Sequence, residues 1–67
     1  VSTAALAVAA PPRFWFVVHL RDERERLVEV HVHTTDSRQA SREAVAVAAE
    51  QHPGRTFCVA DVLQEGA

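Results

Sequence analysis

The stretch RFWFVVHLRDERERLVEVHVHT, residues 13–34, decides the fold, because it holds two strand-like runs separated by one charged turn. In the first run, RFWFVVHL, aromatic and β-branched residues follow one another without Gly or Pro, the composition of a strand. Alternation puts Phe14, Phe16, Val18 and Leu20 on one face and Trp15, Val17 and His19 on the other. Both sets are largely apolar, as a middle strand requires. The second run, RLVEVHVHT, divides more sharply, with Val28, Val30 and Val32 facing one way and Leu27, Glu29, His31 and His33 the other.

The intervening RDERER is charged throughout, so the two runs form an antiparallel hairpin with a solvated tip. A slip of one residue would turn a whole strand over. Bringing Val28, Val30 and Val32 opposite Leu20, Val18 and Phe16 therefore requires an odd loop of three or five residues centred near Glu23 to Glu25. The acids Asp22, Glu23 and Glu25 alternate there with Arg21, Arg24 and Arg26, which reads as a self-neutralising turn in water.

TTDSRQASREAVAVAAEQHPG carries a helix start and stop. Asp36 is a good N-cap with Gln39 three residues on, and Pro53-Gly54 ends the helix, which gives Ser37 to Gln51. Ala40, Ala44, Val47, Ala48 and Gln51 recur at helical spacing, with Val45 beside them, so the buried stripe is small-sided. RTFCVADVL, residues 55–63, supplies a last strand, and QEGA is expected to fray. Cys58, between Phe57 and Val59, reads as a small core residue.

A strand-helix-strand crossover returns the chain in its starting direction, so the third strand runs parallel to the second. Placed beside the two-sided first strand, it completes an antiparallel sheet. The expected fold is α+β: ββαβ, a three-stranded antiparallel sheet of order 2-1-3 with one helix on one face. Residues 13–64 would form one domain, 65–67 a frayed tail and 1–12 a flexible or loosely docked arm. That arm, VSTAALAVAAPP, lacks the basic start of a leader peptide and the ~20 apolar residues of a membrane span.

Composition narrows the functional classes. The chain has 67 residues, 48% of them apolar and 24% charged, the balance of one small globular domain. Seven arginines stand against nine acids, a net charge of -2, which disfavours broad capture of nucleic acid. A single cysteine excludes an intrachain disulfide and makes the cytoplasm the expected compartment. Two glycines, at 54 and 66, leave no Gly-rich phosphate loop, and no nucleophile-base pair can be assembled, so no enzymatic activity and no cofactor are expected.

The lone helix covers one sheet face and leaves Trp15, Val17, His19, Glu29, His31 and His33 on the other. An aromatic and a valine on an uncovered face mark an interaction surface. The expected partners are a second copy and an unidentified protein, met through Trp15, Val17, His19, His31, His33 and, at the hairpin tip, Arg24. The rival reading is a zinc or nickel site. His31 and His33 sit at i,i+2, roughly 6.5–7 Å apart on one strand face, with His19 and Glu29 as further donors. An arginine-bearing β-ribbon on nucleic acid, through Arg13, Arg21, Arg24 and Arg26, is a third. Histidines on a dimer face would also gain charge below about pH 6 and weaken it.

Taken together, FWFVVHL, VEVHVHTTDSRQASREAV and HPGRTFCV resemble short ββαβ proteins of unassigned function carried by bacterial phages and plasmids. The resemblance covers residues 14–62. It implies a small accessory protein that acts by binding, inhibitors of host systems among them, and it transfers no site residue.

Overall fold

Phe14–Asp22 forms β1, Leu27–Thr34 β2, Ser37–Gln51 the helix α1 and Phe57–Gly66 β3. The computed structural model describes residues 11–66. The sheet order is β2-β1-β3, with β1 antiparallel to both neighbours, so the ββαβ α+β architecture read from the sequence is the one observed. Of the expected arm, residues 1–10 lie outside the described residues; Pro11 and Pro12 are exposed.

The valine argument fixes the hairpin. Phe16, Val18 and Leu20 pair with Val32, Val30 and Val28. The Asp22 N–H donates to the Arg26 carbonyl at 3.0 Å and the Glu25 N–H to the Asp22 carbonyl at 3.0 Å, leaving a three-residue loop. Glu25 takes φ 64°, the left-handed conformation that closes such loops against the right-handed twist of the strands.

Under the sheet, Phe16, Val18, Leu20, Val30 and Val32 pack on Ala40, Ala44 and Ala48 of α1, with Phe14, Val28, Val45, Val47, Phe57 and Val62 around them. Alanine at every buried helix position brings the helix axis close to the sheet. The Asp36 carboxylate caps α1 by accepting the Gln39 N–H at 2.8 Å. At the other end Gly54, with φ +88°, turns the chain back toward the sheet.

Four details depart from the sequence reading. Gln51 is exposed, because α1 ends there and the half-buried His52 takes the position over Phe57, ring centroids 5.9 Å apart. β3 starts at Phe57 and continues to Gly66, so Glu65 and Gly66 of the expected frayed tail are strand, with Gly66 paired to Trp15. Cys58 is exposed: with Phe57 turned toward the helix, Cys58 faces the opposite side, its thiol 3.7 Å from the Arg21 carbonyl.

The fourth is the hairpin tip. Asp22 is the last residue of β1 and is buried, not solvated. One carboxylate oxygen accepts the Arg24 and Arg26 N–H groups at 2.9 and 2.8 Å. The other accepts Arg26 Nε at 2.8 Å and Arg55 Nε and Nη2 at 3.0 and 2.6 Å. Burial pushes this carboxyl up, but the Arg26 N–H, the Arg55 guanidinium, the Arg24 N–H and the Arg26 guanidinium outweigh it and hold it far below the carboxylate range. Glu23 adds a second tie by accepting the Thr56 N–H at 2.7 Å. The β1–β2 turn is thereby fastened to the segment entering β3, 33 residues later.

Candidate functional site

The open face of the sheet is built by the alternate residues of all three strands. β1 contributes Trp15, Val17, His19 and Arg21, and β2 contributes His33, His31, Glu29 and Leu27 directly opposite them. β3 adds Leu63 beside Val17, Asp61 beside His19 and Cys58 beside Arg21. Every residue expected on this face from β1 and β2 is there. Arg24 stands apart on the exposed hairpin loop.

The face has an apolar end and a charged band. Trp15 and Leu63 are 44% and 50% exposed, while Val17 between them is buried at 7%. Val17 is thus the floor of the patch rather than a contact in its own right, because His31 and Leu63 flank it on the two neighbouring strands. The Trp15 indole stacks on the His33 imidazole, ring centroids 4.8 Å apart and planes 20° from parallel. Such stacking fixes a large, rigid surface at small entropic cost.

Across the middle runs a row of alternating acids and imidazoles. Glu29 lies 2.7 Å from His31 Nε2 and 3.4 Å from His19 Nε2, and Glu65 lies 3.5 Å from His31 Nδ1. A carboxylate at each nitrogen favours the protonated form of His31, which offers two N–H donors. Its pKa is raised, chiefly by the hydrogen bond to Glu29, against some desolvation and with help from Glu65. Glu29 is lowered, first by His31 and then by His19. The groups are about half exposed, so water screens the pair and its weight in stability is small. What it contributes is present below the ordinary histidine pKa of about 6.5 and is lost as pH rises through the raised value.

An NMR titration of the imidazole protons reads this directly. His31 titrates above 6.5, and Glu29→Gln brings its midpoint down; a midpoint unmoved by that substitution would remove Glu29 as the cause. On this face His31 is flanked by the carboxylates of Glu29 and Glu65, and His19 by that of Glu29.

The histidine row is divided rather than convergent. His31 points at carboxylates while His33 stacks on Trp15, and among the described residues no three His, Cys, Asp or Glu side chains converge as metal ligands. Of the arginines named for a nucleic-acid ribbon, Arg26 is held by Asp22, together with Arg55, and Arg21 by Glu25 at 3.7 Å, while Arg13 and Arg24 are exposed. Leu63, Asp61 and Glu65 were not singled out by the sequence reading. Two extra residues in β3 shift its register, so simple alternation from Phe57 does not place them.

No pocket opens among the described residues, and no helix there is long and apolar enough to cross a membrane. No family model, curated protein or solved structure matches the chain.

Proposed function

We propose that this chain is a small non-enzymatic accessory protein that acts as a homodimer and binds another protein through its open sheet face. The observation that carries this reading is the Trp15–Val17–Leu63 patch on a face that α1 leaves uncovered. A rigid aromatic anchor beside an aliphatic one, rimmed by ionisable groups, is the anatomy of a protein contact. The exposed Arg24 loop extends that surface at the hairpin end. The free, exposed Cys58 fits a reducing cytoplasm. An alternative, implied by the resemblance, is a phage- or plasmid-borne inhibitor of a host system.

The test is copurification from the native host with wild type and with the double variant Trp15→Ala/Leu63→Asp. A protein held by wild type should be lost, or bound about thirtyfold more weakly, when the anchor is removed and the circular dichroism is unchanged. Equal capture by both forms would refute the reading. A calorimetric titration with zinc and nickel on wild type and on His31→Ala/His33→Ala addresses the metal reading; micromolar binding lost in that variant would favour it instead.

A further inference from the structure

One sheet face is small for the task just proposed. Three strands of this length cover about 430 Å² in plan, at ~4.8 Å per strand and ~3.3 Å per residue, roughly half of the ~800 Å² per partner in a standard interface. The missing half is available by symmetry, and the sheet edges indicate where.

The two edges differ. β3 is interrupted twice, since Ala60 and Glu65 are extra residues against β1. Bulges of this kind twist an edge away from further pairing. β2 pairs with β1 without a shift from Thr34 to Leu27 and contains neither Pro nor Gly. Among the described residues it is a regular edge without bulge, Pro or Gly, and Glu29 is its one carboxylate.

Hydrogen-bond alternation tells which β2 groups face outward. Asp22 and Arg26 form the bonded pair that closes the loop. Val28, Val30 and Val32 therefore point their N–H and C=O groups toward β1, while Leu27, Glu29, His31 and His33 point theirs to the free side. Only registers that match these four to one another complete the bonds. A dyad at Glu29 would set carboxylate against carboxylate, and one at His31 imidazole against imidazole. A dyad at Val30 pairs residues 27–33 over the whole strand and sets each Glu29 against a His31.

We propose that β2 adds to β2 of a second copy about a dyad at Val30, with Glu29 opposite the partner's His31, so that the two open faces join into one six-stranded surface. Opposite charges directly across a strand pair stabilise the register. The dyad stands perpendicular to the sheet, so both α1 helices lie on the same side. Their axes are about 14 Å apart, outside the ~8–10 Å of packed helices, so they do not collide. Val47, half-buried on the same side of α1 as Glu43, which Thr34 of β2 reaches at 2.9 Å, lies toward the gap. On the opposite side, two Trp15–Val17–Leu63 patches share one surface of about 860 Å² in plan, a full-sized site for the foreign partner.

The inference rests on the open-face reading for its purpose but is tested separately. The backbone amides of Glu29, His31 and His33 should exchange with deuterium at least about tenfold more slowly as protein concentration rises through the dimer range. His31→Pro removes an outward N–H and no bond to β1, and should give a folded monomer by light scattering and circular dichroism. His31→Glu, which keeps the backbone and places like charges opposite the partner's Glu29, should weaken the dimer about tenfold. Fast exchange of these amides at every concentration, or a dimer that survives both substitutions, would overturn the proposal. Trp15→Ala/Leu63→Asp leaves the edge intact: a dimer that no longer captures the partner supports the face, whereas a monomer from this variant would show that the copies meet through the face.

Discussion

Asp22→Asn lowers the thermal midpoint by about 10–20 °C at neutral pH, a large effect for an isosteric change at a hairpin end. The amide oxygen can still accept the Arg24 and Arg26 N–H groups, but the new NH2 faces Arg26 Nε and the Arg55 guanidinium, donor against donor. Two cations then stand beside a buried position that holds no anion. Because the folded pKa is depressed, the wild-type contribution is fully present above the unfolded value of about 3.9 and is lost as pH falls below it. The gap between wild type and variant, followed by thermal melts from pH 7 to 2.5, should narrow below about pH 4. Glu23 and Glu29, also lowered, keep a smaller acid slope in the variant. A gap that stays constant to pH 2.5 would show that packing, not charge, is what Asp22 supplies.

Leu20→Ala is expected to cost about 2–5 kcal/mol, comparable with the ~3–5 kcal/mol that a core of this size class supplies. Leu20 is fully buried in the middle strand, paired with Val28 on one side and Val59 on the other. The alanines facing it from α1 have no longer side chain with which to fill the space. The variant should be largely unfolded in dilute buffer, and a urea titration would show little folded baseline. Retention of more than half of the wild-type stability would mean that the helix settles onto the sheet and closes the cavity.

The hairpin and the helix were legible because their signals are local and redundant. Val28, Val30 and Val32 admit one partner set on β1, and Asp36, Gln39, Pro53 and Gly54 bracket one helix. β3 was legible in existence and direction but not in register. Each extra residue reverses the alternation, so Leu63 and Glu65 were overlooked, while Cys58, before the first of them, was taken for core from its apolar neighbours Phe57 and Val59 although alternation from Phe57 turns it outward. The fate of Asp22 was hidden for a different reason. Its decisive partner, Arg55, is 33 residues away, and among neighbours of both signs nothing local marks one acid as the buried one. The open face itself followed from counting layers, since one helix cannot cover two sides of a sheet. The carboxylates on both nitrogens of His31 could not be read, because Glu65 arrives from the far strand through a bulge.

The irregular edge of β3 also sets a limit on growth. A protein with two regular sheet edges can add copies without end, and the product is a fibre rather than a particle. In the proposed dimer, pairing through β2 would use the regular edge once and leave a bulged β3 at each outer margin, with Ala60 and Glu65 breaking the ladder. Two inserted residues would thus keep a chain that exposes Val59 and Leu63 on its edge strand β3 to a finite assembly.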